Sequence, residues 1–154
     1  MTDKSVFSND EWRAIVDAPL RASMAMFAAG EHGPISMVKE AAASARAMAQ
    51  PGDRGAAHEL IAAISHDAQS HEARHDAKQH QGKTPEQSVD EAIAQLQLAT
   101  AALAKLPIDE AIEVRGWLLD IAQAVAEAAK GINEREQATI DRIRVALGGP
   151  PSGA

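Results

Sequence analysis

Residues 71 to 75 read His71-Glu72-Ala73-Arg74-His75, the spacing that puts two imidazoles one helical turn apart to bind zinc, with a glutamate placed to activate water. Hydrolysis on such a site needs a third protein ligand and an apolar wall. The neighbours are instead Ser70, Arg74, Asp76, Lys78 and Gln79, so the stretch reads as a solvated helix rather than a protease centre. A binding version without catalysis is the weaker alternative, because Asp67, His71 and His75 follow one another at i, i+4 steps. Eight residues rise about 12 Å along a helix, so Asp67 and His75 cannot share one ion, although either adjacent pair could hold one weakly. His58, His66 and His80 fall on the other side of an ideal helix.

Other candidate motifs have plainer explanations. Gly82-Lys83-Thr84 ends like a phosphate-binding loop, but the position that should carry the leading glycine is Ala77, and no strand precedes it. Met24, Met26, Met37 and Met48 could line an adaptable groove, yet their helical spacing favours a core role. No nucleophile elbow or dinucleotide fingerprint is present.

The elements that must position these residues are helices. Ser8 and Glu11 form a capping box ahead of Trp12, Ile15, Val16, Leu20, Met24 and Phe27, which recur at helical spacing, with Pro19 expected to kink or split the segment. Ser36 is read as the cap of a second, alanine-rich helix with Met37, Val38, Ala41, Ala45 and Met48 on its buried stripe, closed by Pro51-Gly52. A third helix starts near Arg54, carries Leu60, Ile61 and Ile64, and turns polar through His80. Thr84-Pro85-Glu86-Gln87 opens a fourth, with Val89, Ile93, Leu96, Ala99 and Leu103 buried. Pro107 opens a fifth that ends at Gly131; its wide apolar coverage predicts contacts on several sides and a central place. Asn133 and Glu136 cap the last, which Gly148-Gly149 stops.

Composition agrees with this pattern. Apolar residues make up 45% of the chain but aromatics only 3%, so alanine must let helix axes approach closely where bulky side chains would otherwise fill space. The 154 residues and formal charge of -7 suit one domain and disfavour a phosphate backbone as partner. With no cysteine there are no disulfides or thiolate sites, which fits a cytoplasmic setting. Met1 to Arg13 lacks an apolar leader core, and no stretch approaches the roughly 20 apolar residues of a membrane span.

Two regions carry a family likeness. Leu118 to Glu136, continued by Ile140, Ile143 and Leu147-Gly148, presents a helix, a turn and a capped following helix; Glu11-Trp12, Ala18-Pro19 and Gly33-Pro34-Ile35-Ser36 before Lys39-Glu40 present a similar arrangement. Both resemble the halves of the TerB-like tellurite-resistance family, over roughly half the chain, and suggest duplication of a helical hairpin. The resemblance implies a small helical protein tied to stress response and metal resistance, with divalent metal held by acidic residues near the turns. Glu40 and Glu136 match such positions, while Lys130 and Ala28-Ala29-Gly30 replace the expected aspartates.

The expectation is therefore an all-α, compact bundle of about six or seven helices, one domain over 1–147 with a disordered tail at 148–154. Its predicted role is that of a non-enzymatic TerB-like interaction module with a protein partner or a second copy, and neither nucleic acid nor membrane. The alternative is a divalent-metal-binding protein using His71 and His75, or Glu40 and Glu136 at the acidic turns. A hydrolase on His71, Glu72 and His75 is the remaining outlier.

Overall fold

The computed structural model describes residues 2–30, 33–75, 83–128 and 131–149, without the side chains of 71–75. Among the described residues six helices follow in order, α1 (Asn9–Ala29), α2 (Pro34–Ala49), α3 (His58–His75), α4 (Pro85–Leu103), α5 (Ile108–Ala128) and α6 (Glu134–Ala146). Short 3-10 turns at Lys4–Val6 and Gly55–Ala57 precede α1 and α3. Among the described residues there is no strand.

Local chemistry accounts for the helix starts. Reciprocal capping boxes join Ser8 with Glu11, Thr84 with Gln87, and Asn133 with Glu136, each satisfying amides that a first turn leaves without partners. Two starts differ from expectation. Gly33 rather than Ser36 caps α2, with Pro34 at the first helical position, because the fixed proline φ suits that position and needs no amide. The turn at Gly55–Ala57 delays α3 to His58. At the far end of α6 the Gly148 amide bonds Val145 O and the Gly149 amide bonds Arg144 O, both at 2.9 Å. Gly148 has φ +83°, so this is a glycine-closed Schellman end. Of the predicted tail at 148–154, residues 150–154 lie outside the described residues, as does the predicted continuation of α3 over 76–80.

One core joins all six helices, and α1 is its axis, since α1 packs against each of the other five. The expected central helix, α5, contacts α1, α2, α6 and the Gly55–Ala57 turn. It is apolar on several sides without being the hub, and Ile108 and Ile112 at its start are exposed. Small side chains explain why α1 takes the centre. Its most buried positions include Ala18, Ala22, Ala25 and Ala29 beside Ile15, Val16 and Met26, whereas Leu20 and Met24 of the expected stripe are only partly covered. Alanines at the contact let several axes come close to one helix. Pro19 does not split α1, which is continuous from Asn9 to Ala29.

Polar ties fix the ends. Lys105 in the turn after α4 donates to Glu11 at the start of α1 at 2.6 Å, and that contact leads the effects that hold the Glu11 carboxyl below its ordinary range. Thr100 on α4 donates to Ala146 O at the end of α6 at 2.8 Å. Among the described residues, no helix is long and apolar enough to cross a membrane.

Ile121 is fully buried on α5 while Ile108 on the same helix is largely exposed. Urea unfolding should therefore show Ile121→Ala losing about 2–5 kcal/mol and Ile108→Ala staying within about 0.5 kcal/mol of the parent. Equal losses would refute the burial pattern.

Candidate interaction surface

The helix that departs most from expectation is α2. Its buried residues are Glu40, Ser44 and Met48, with Ser36, Ala43 and Ala47 partly covered beside them. The predicted buried stripe of Met37, Val38, Ala41 and Ala45 faces solvent, and only Met48 of that set is buried. The helix thus sits with its polar side inward.

Hydrogen bonds supply what apolar burial does not. Ser44 Oγ lies 2.6 Å from Ser23 Oγ on α1, and Ser23 Oγ also donates to Pro19 O at 3.2 Å. The Trp117 indole of α5 donates to Ala47 O at 3.2 Å, and Ser65 of α3 donates to Met48 O at 2.8 Å. Within α2, Ser36 Oγ donates to Glu40 Oε1 at 3.0 Å. Each such bond contributes a net ~0.5–1.5 kcal/mol, more when a charged group takes part, and breaking one in a buried place costs more still. Orientation is specified by donors and acceptors from α1, α3 and α5 together.

Much of what remains outside is apolar. Ile35 and Val38 are 74% and 70% exposed, and Ala42, Ala45 and Ala49 are exposed with them. At 100° per residue these five positions cluster on the pole opposite Glu40 and Ser44. A solvent face of a surface helix is ordinarily polar, and this one departs from that pattern. The signal was present in the spacing of Ser36, Glu40 and Ser44 at i, i+4 steps, but an apolar-inward reading of periodicity assigns that stripe to water.

The residues singled out as metal ligands occupy different places. Glu40 is buried on the inward side of α2, 2% exposed, where its Oε1 accepts from Ser36. Glu136 on α6 closes a capping box, accepting from the Asn133 amide at 2.9 Å. His71 and His75 belong to the last turns of α3, and their side chains lie outside the described residues. Among the described residues, no three His, Asp or Glu side chains gather as a metal-ligand set. Glu110, at the start of α5, is a further buried carboxylate that sequence reasoning missed.

Asp67 has a structural task. Its Oδ2 accepts from the Trp12 indole at 3.0 Å, joining α3 to α1, and its Oδ1 lies 3.3 Å from His66 Nδ1. Burial alone pushes this carboxyl up, but the Trp12 and His66 hydrogen bonds, with the charges of Lys4 and His66, together hold it below its ordinary range. A second surface feature is an open groove of about 210 Å³ between α5 and α6, lined by Ile112, Arg115, Leu119, Leu147 and Gly148 among others. That volume is below the ~300–1,000 Å³ of typical small-molecule sites.

Comparison with protein-family models, curated proteins and solved structures finds no match.

The lowered Asp67 carboxyl has a defined pH consequence. The unfolded chain takes up this proton first as pH falls, so the stabilisation is complete above the unfolded value near ~4 and is lost as pH drops through the lower folded value. Asp67→Asn should therefore flatten the acid limb of stability below about pH 4, measured by urea unfolding at a series of acid pH values. An unchanged acid limb would count against the Trp12–Asp67 tie.

Proposed function

We propose that this chain is a non-enzymatic, TerB-like helical interaction module, working in a stress or metal-resistance setting, and that a partner protein docks on the outward face of α2. The observation that carries this reading is the inverted placement of α2. Buried hydrogen bonds spend its polar side on α1, α3 and α5, leaving Ile35, Val38, Ala42, Ala45 and Ala49 toward water. Exposing branched apolar side chains has no value for the isolated fold, since burying a valine or isoleucine is worth ~1.5–3 kcal/mol. A partner that covers the face recovers that free energy. The hairpin patterns at the two ends of the chain support the TerB-like part of the reading.

A photo-reactive residue placed at Ala42 should yield a discrete cross-linked protein in cells, absent when the probe sits at exposed Gln97 on α4 and absent in a Val38→Asp background. A deletion strain should be sensitised to tellurite or oxidants and be rescued by the parent chain but not by Val38→Asp. Identical products at Ala42 and Gln97, or full rescue by Val38→Asp, would contradict the proposal.

A further inference from the structure

The exposed face of α2 has an order finer than general apolarity. Ile35, Val38, Ala42, Ala45 and Ala49 are separated by three, four, three and four residues, which is the a and d spacing of a coiled-coil seam over two heptads. In that frame the inward Glu40 takes the f position, opposite the seam, and Lys39 and Arg46 both take e. The two cations are exposed, seven residues apart on one flank. Neither meets a carboxylate among the described residues. The other flank carries Pro34, Ala41 and Met48 and no charge.

Resting on the reading of α2 as a docking face, we propose that its occupant is an amphipathic helix of a partner protein that lays large apolar side chains on this seam and carries glutamate or aspartate against Lys39 and Arg46. Charge decides against the simplest alternative, a second copy pairing through the same face. Antiparallel self-pairing sets Lys39 and Arg46 against their own counterparts, and parallel self-pairing sets them against Pro34 and Ala41. Neither arrangement offers an acid, and e and g charges govern which helices pair.

Shape gives the partner further definition. Three of the five seam positions are alanine, so the facing helix must bring the volume, with leucine-sized knobs over Ala42, Ala45 and Ala49 and smaller residues over Ile35 and Val38. The seam spans about 21 Å, so a partner segment of roughly 15 residues covers it.

The test uses the full chain and two synthetic helical peptides of about 18 residues. Both carry leucine at a and d; one has glutamate at e and g, the other lysine. Amide chemical-shift changes report where each binds, and titration gives its affinity. The glutamate peptide should perturb residues 35–49 and bind at least tenfold more tightly than the lysine peptide. In the Lys39→Glu/Arg46→Glu double variant the preference should reverse, a result that mere loss of stability cannot produce. Ala42→Asp should weaken both peptides, with an unchanged circular-dichroism melt confirming the fold.

A preference that the charge swap leaves unaltered, or shifts confined to the α5–α6 groove, would overturn the acidic-helix assignment. So would concentration-dependent dimers abolished by Ala42→Asp, which would make a second copy the occupant. If the charge swap fails while cross-linking at Ala42 still captures a partner, the docking face stands and only the nature of its occupant falls.

Discussion

Two hydroxyls decide which way α2 faces. Ser23 on α1 and Ser44 on α2 lie 2.6 Å apart in a buried setting, and rotating α2 to bury Ile35 and Val38 would separate them. Rotation would also withdraw the backbone carbonyls of Ala47 and Met48 from Trp117 and Ser65. Several buried partners would be lost together, and polar groups left without partners in a core cost more than the modest net value of each bond. The helix is in this way held in one rotational setting.

That setting is possible because α1 presents small residues at its contacts. Ala18, Ala22, Ala25 and Ala29 are buried along it, so α2 through α6 can all reach the same helix. Beside Ile15 and Met26 of α1, the large buried side chains come from the partners, among them Trp117, Leu118 and Ile121 of α5, Leu96 and Leu103 of α4, and Ile61 and Ile64 of α3. The bundle is asymmetric in chemistry: a small-residue axis, a ring of bulky helices, and one helix attached through hydrogen bonds. The outward apolar face of α2 follows from this attachment.

Much of the architecture was legible in the chain. Capping boxes at Ser8, Thr84 and Asn133, the proline at the first position of α4 and the glycines after α6 are local devices, and local devices act wherever the chain is folded. The apolar stripe of α4 was legible because leucine, isoleucine and valine define one face without competition. Alpha2 was not, because alanine is compatible with either side of a helix, and the larger Met37 and Val38 then pull a periodicity argument toward the wrong face. The polar stripe of Ser36, Glu40 and Ser44 acquires meaning only once Ser23 is opposite it, a relation across 21 residues. Asp67 illustrates the same limit, since its Trp12 partner lies 55 residues away.

The absence of cysteine from the chain allows the placement of α2 to be measured directly. Single cysteines at Val38, Ala42 and Ser44 can be reacted with a thiol reagent under native conditions and their rates compared with those in urea. The inverted setting predicts that Val38→Cys and Ala42→Cys react nearly as fast folded as unfolded, while Ser44→Cys is protected until the bundle opens. Protection at positions 38 and 42 with free reaction at 44 would show that α2 buries its apolar side after all, and the docking face would cease to exist.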